Sequence, residues 1–98
     1  MNTKTVIAPR VHMNGTSRDS LVAALDAAHD TIGQAYESLK QTAPNGRDYY
    51  TEGPQAMEKA QDEHRDRLLA LHNVQAELYA IILAIEANET STTYTPRT

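Results

Sequence analysis

Leu21, Leu25, Ala28, Ile32, Ala35 and Leu39 follow one another at steps of four, three, four, three and four residues. A strand, with its period of two, cannot keep such a series on one face. An α-helix can, and a mean repeat of 3.5 makes the series a seam for a second helix. The spacing predicts a helix over residues 17–41, in which Ala24, Ala27 and Ala28 allow a close neighbour. Gly33 weakens its interior by about 1 kcal/mol against Ala. Either a close neighbour or a ligand explains Gly33, or it is a tolerated exposed residue. A second seam follows. His64, Leu71, Leu78 and Ile85 share one heptad position, and Leu68 and Ile82 share another. Met57 lies at its start, and Val74 and Ile81 widen it near its end. It predicts a helix over residues 54–87.

The boundaries carry their own signals. Asn14-Gly15 is a turn, and Thr16 with Asp19 forms a capping box, with Ser17 as the other candidate cap. Pro44 stops the first helix and Asn45-Gly46 turns the chain in a loop over 42–53. Gly53-Pro54 opens the second helix, where the missing N–H of Pro54 costs nothing. Residues 1–13 read as an arm, either extended along a partner or forming a short strand that Pro9 keeps out of any sheet centre. Residues 88–98, NETSTTYTPRT, read as a frayed, flexible tail. The fold class expected is therefore all-α, a single domain built as an antiparallel two-helix hairpin.

Such a hairpin is short of cover. Helices of about 25 and 34 residues span roughly 37 and 51 Å at 1.5 Å per residue. The apolar end of the second helix, with Leu78, Ile81, Ile82 and Ile85, is wider than one partner helix covers. A small chain without disulfides solves this by assembling. The expectation is a symmetric homo-oligomeric helical bundle.

Composition narrows the function. Net charge −4 and a pI near 5.4 argue against a protein that coats long nucleic acid. The absence of cysteine removes disulfide scaffolds, thiolate metal sites and cysteine nucleophiles. His29, His64 and His72 show no metal-binding spacing, and no metal or cofactor is expected. On the seam, His64 reads as a hydrogen-bonded core residue. No apolar run approaches a membrane span and no leader is visible at the start, so a cytoplasmic protein is expected. No nucleophile elbow, phosphate loop or dinucleotide fingerprint appears, so the expectation is a binder and not an enzyme.

Two polar stretches suit an anionic ligand. HMNGTS runs into a helix start, whose free N–H groups and positive dipole end favour phosphate or carboxylate. Asn14, Gly15 and Thr16 would supply donors there, with His12 and Arg10 adding charge, though an ordinary helix cap explains the same residues. PNGRDYY holds Asn45, a guanidinium at Arg47 that forks onto a phosphate, and Tyr49 and Tyr50, whose faces stack on a base. The chain has five Tyr and neither Phe nor Trp, which singles out ring hydroxyls and faces. A structural role competes here: Arg47 pairing with Asp48 or a helix carboxylate, and one Tyr plugging the hairpin. Within one hairpin the two stretches lie a helix length apart. In an antiparallel pair of hairpins they could meet between protomers.

The His12-to-Ser17 stretch, the Ala43-to-Tyr50 loop and the Glu63-His64 to Arg67 segment together resemble a family of small phage and prophage proteins. Its members share "H-x-N-G-T-S", "P-N-G-R-D-Y-Y" and "EH-x-x-R", and the resemblance covers roughly residues 11–87. It implies a phage origin and no settled activity. In design the chain is also similar to phage sponge proteins: small, helical, oligomeric, non-enzymatic binders that sequester the cyclic nucleotides of host CBASS and Thoeris defence. No sponge residue is carried over by alignment. That likeness implies a cyclic nucleotide as partner, held between protomers in the cytoplasm of an infected bacterium. The alternative is a phage structural, assembly or regulatory module that binds protein, with Arg47 and the tyrosines as interface anchors.

Overall fold

The computed structural model describes residues 2–98. Along the chain come strand β1 (Lys4–Ile7), helix α1 (Arg18–Lys40), a short helix α2 (Gly46–Tyr49) continued by a 3-10 turn (Tyr50–Glu52), helix α3 (Pro54–Glu86) and strand β2 (Ser91–Tyr94). Helices α1 and α3 pack side by side, and α3 also carries the ribbon formed by β1 and β2. The result is a rod of 62 × 27 × 15 Å. Its radius of gyration is 18.0 Å, against about 13 Å for a compact domain of this length.

Local chemistry sets each element. Ser17 caps α1, its Oγ accepting from the Ser20 amide at 3.2 Å. Asp19 in the first turn and Lys40 in the last complement the helix dipole. Thr16 is exposed and does not cap, so the cap falls one residue later than the capping-box reading. Gly53 enters α3 at φ 91°, a conformation that costs glycine little, and Pro54 takes the first helical position. At the other end Asn88 has φ 57°. The Glu89 amide donates to the Ala84 carbonyl at 2.8 Å and the Asn88 amide to the Ile85 carbonyl at 3.1 Å. That paired cap satisfies two end carbonyls and turns the chain back along the helix.

The all-α expectation is overturned. The arm and the tail pair as a two-stranded antiparallel sheet, with Lys4 opposite Tyr94, Val6 opposite Thr92 and Ile7 opposite Ser91. The connection expected as a loop over 42–53 contains a short third helix, and the chain is one long helix flanked by α1 and the ribbon, not a two-helix hairpin bundle. The reason is the width of the apolar surface on α3. Val6 and Ala8 are buried while Ile7 points outward at 77 % exposure. Thr92 and Tyr94 are half-buried on the paired strand. β-branched threonines favour such a half-covered ribbon, and Pro9 falls beyond the strand, where it removes no ladder bond. The tail is also fastened. The side-chain amide of Asn73 donates to the Arg97 carbonyl at 2.9 Å and accepts from the Arg97 amide at 2.8 Å. The Tyr94 hydroxyl donates to Glu77 at 3.3 Å.

The seam on α1 is turned from the one read in the sequence. Its half-buried residues are Leu21, Val22, Leu25, His29, Ile32, Gly33, Tyr36 and Leu39, while Ala28 and Ala35 are exposed. Gly33 shows why. The Gln75 side chain lies against it and donates to the His29 carbonyl at 3.2 Å. A Cβ on residue 33 would meet Gln75 Nε2 at 2.8 Å. Gly33 therefore serves a close neighbour, and His29, not Ala28, turns toward α3, its ring centroid 6.1 Å from that of Tyr79. The deepest packing is at the ribbon end. There Ala8, Ala84 and Ile85 are at most 3 % exposed and meet Val11, Leu21, Val22, Leu25 and Ile81. His64 is buried on α3.

Ile85→Ala is expected to lower unfolding free energy by about 3 kcal/mol, the usual cost of emptying a buried aliphatic site. A urea titration followed by circular dichroism checks it. Asn73→Ala is expected to free the tail while both helices persist, seen as lost hydrogen-exchange protection at the Arg97 amide.

Candidate functional site

The nine residues singled out by sequence fall into two groups at opposite ends of α1. Residues 10–16 lie beside the ribbon. Residues 45–50 form the apex joining α1 to α3. A helix of 23 residues separates them by about 35 Å at 1.5 Å per residue. One chain does not bring them together.

The apex is more ordered than a loop of its composition suggests. Asn45 adopts extended backbone and its Oδ1 accepts from the Arg47 amide at 2.9 Å. The Asp48 amide closes the turn onto the Asn45 carbonyl at 2.9 Å. Asn45 thus positions the segment instead of reaching for a ligand with that oxygen. Helical backbone then spaces the three side chains. Tyr49 is half-buried, Tyr50 is 83 % exposed, and Arg47 is exposed. Among the described residues, the ion pairs join His29 to Asp30, Lys40 to Glu37 and Arg65 to Asp62. Arg47 enters none of them, neither with Asp48 nor with a helix carboxylate. Its side chain is exposed to solvent, three residues before the exposed Tyr50. At the end of α1, Lys40 pairs with Glu37 and holds its Nζ 5.9 Å from the centre of the Tyr36 ring.

The other group is folded against itself. The Gly15 amide donates to the His12 carbonyl at 3.1 Å. The His12 ring covers Gly15, so that a Cβ there would meet His12 Nε2 at 2.7 Å. The approach to the Gly15 backbone assigned to a ligand is thus occupied by the chain's own imidazole. Arg10, His12, Asn14, Gly15 and Thr16 are all exposed. Ser17, the real cap, was the alternative in the sequence.

Three features outside these groups were not anticipated. Asp26, His29 and Asp30 place ligand atoms within 4.8 Å of one another on α1. The D-x-x-H-D spacing carries that signal; His29 is half-buried, and exposed acidic groups such as Asp26 and Asp30 are common without an ion. An open depression of about 360 Å³ lies between the chain ends, lined by Asn2, Thr95, Pro96 and Thr98. None of the nine candidates lines it. Finally, an 18-residue window of α3 reaches mean hydropathy 1.6, long and apolar enough by composition to cross a membrane, and only 22 % of that window is buried. This corrects the expectation that no such run exists, although the helix also carries Asn73, Gln75 and Glu77, each hydrogen-bonded within the chain.

Comparison with family models, with curated proteins and with solved structures finds no match to this chain. The reading of the site therefore stands on its geometry.

Desolvation against α3, followed by the Glu77 carboxylate, holds the Tyr94 hydroxyl above the ordinary tyrosine range. An ultraviolet pH titration is expected to show Tyr94 ionising above the ordinary tyrosine range, and Glu77→Gln to lower it.

Proposed function

We propose that this protein is a non-enzymatic binder that sequesters a cyclic nucleotide immune signal, a phage-encoded sponge acting against host defence in the cytoplasm of an infected bacterium. The observation that carries the reading is the apex: a short turn capped by Asn45 that bears an Arg47 without an ion-pair partner, an exposed Tyr50 and a half-buried Tyr49 within four residues. A guanidinium fork suits a phosphate, and a tyrosine face beside it suits a base. Sequestration asks for no chemistry on the ligand, only an anion site and a stacking surface. The likeness of the HMNGTS and PNGRDYY motifs to those of small phage proteins bears on the phage origin in this reading and not on the ligand.

The separation of the two polar groups bears on where a ligand would lie. A pocket using both Arg47 and the Arg10-to-Thr16 group needs the apex of one chain against the ribbon end of another. Such pockets recur by symmetry, which suits a ligand with repeated phosphates. With His12 already against Gly15, the contribution from that end comes from Arg10, Asn14 and Thr16.

A second reading has its own support. Tyr79, Leu83 and Val74 expose apolar surface on α3, which favours a protein-interaction module of phage assembly or regulation in which Arg47 and Tyr50 are anchors.

Thermal denaturation of the purified protein against cyclic di- and trinucleotides and ADP-ribose derivatives separates the two. A sponge gains stability with one ligand, by about 2.7 kcal/mol at a concentration a hundredfold above Kd, and releases it unchanged on heating. Arg47→Ala is expected to weaken binding at least tenfold while leaving the unliganded melting temperature in place. Indifference to the whole panel sinks the sponge reading for those signals, and an altered ligand points to an enzyme.

A further inference from the structure

Helix α3 carries two heptad rows, one residue apart. The first, His64, Leu68, Leu71, Gln75, Leu78, Ile82 and Ile85, includes the buried His64, Ile82 and Ile85 and the Gln75 that reaches α1. The second is Arg65, Leu69, His72, Ala76, Tyr79, Leu83 and Glu86, again at steps of four and three. Tyr79 is 53 % and Leu83 47 % exposed in this row, and Leu69, His72 and Ala76 are only half-buried. A row with coiled-coil spacing and apolar content lies partly open along α3.

The rest of the molecule shows the same deficit. Not one of the 23 residues of α1 is buried, and among the described residues no large side chain falls below 2 % exposure. The accessible surface is 7059 Å² at a mass of 10.8 kDa. A compact monomer of that mass exposes about 5,500 Å². The excess, roughly 1,500 Å², exceeds the ~800 Å² that each partner gives up in a standard protein interface.

We infer that the second row of α3 is a self-association surface, and that it pairs with the same row of a second copy running antiparallel about Ala76. The row is self-complementary in that sense. Centred on Ala76, the pairing brings Arg65 toward the partner's Glu86, Leu69 toward the partner's Leu83 and His72 toward the partner's Tyr79. The small Ala76 falls at the closest approach, and the opposite charges fall at the two rims. A parallel pairing would instead set Arg65 against Arg65 and Glu86 against Glu86. Isologous contacts of this kind close on themselves and do not build fibres. The polar Asn73, Gln75 and Glu77 are already satisfied within the chain, so a second protein copy covers this helix without stranding them. The inference does not depend on a nucleotide.

Sedimentation equilibrium of the full chain without ligand tests it, with circular dichroism to establish that each variant is folded. The wild type is expected at twice the chain mass or a multiple of it at micromolar concentration. Leu83→Glu, at an exposed position, is expected to weaken association at least tenfold with helicity retained. Arg65→Glu is expected to weaken it, and Arg65→Glu combined with Glu86→Arg to restore it. A wild type that stays monomeric at 100 µM overturns the inference, and so does a folded Leu83→Glu variant of unchanged mass. A monomer that co-sediments with phosphatidylglycerol vesicles also overturns it, in favour of a lipid surface. Failure of the nucleotide panel, with association intact, leaves this inference standing and removes only the sponge.

Discussion

The excess apolar width of α3 decides the rest of the structure. One side of the helix takes α1. Another takes the ribbon, through Val6, Ala8, Thr92 and Tyr94. A helix of 33 residues with a single apolar stripe would have been served by one neighbour. This one needs at least two, and the chain supplies the second from its own ends. The ribbon is therefore a consequence of the helix: two short strands alone are marginal in water, and these gain their stability from what they cover.

The two long helices were legible because hydrophobic period, cap residues and proline punctuation agree there. The ribbon was not. The sequence of the arm admits a strand, but the partner strand lies in a threonine-rich tail whose polarity reads as disorder, and nothing local says that the two ends meet. The turn that joins them rests on Asn88 in a left-handed conformation, a weak signal beside a glycine. The rotation of the α1 seam was hidden for another reason. Ala28 and Ala35 fit a heptad, but they add little burial. The hydrogen bond from Gln75 over Gly33 and the contact of His29 with Tyr79 outweigh them and turn the helix. An interhelical hydrogen bond of this sort leaves no trace in the local pattern.

The candidate site divides along the same line. At the apex, a short helix capped by Asn45 leaves Arg47 and Tyr50 exposed with no carboxylate to claim the charge. The HMNGTS stretch differs, because His12 folds back onto Gly15. Sequence reports which groups are present and how the backbone between them bends. It does not report which of them satisfy one another first.

The pairing of Lys4 with Tyr94 joins positions separated by nearly the full length of the chain. Contacts of such separation form after local ones, because the loop they close must be ordered first. On a ribosome the delay is longer, since β2 emerges after α3. Until then the side of α3 reserved for the ribbon is bare, next to the open row that bears Tyr79 and Leu83. A nascent copy thus displays more adhesive surface than a finished one, and the closing of the ribbon is the step that limits which face a neighbouring copy can use.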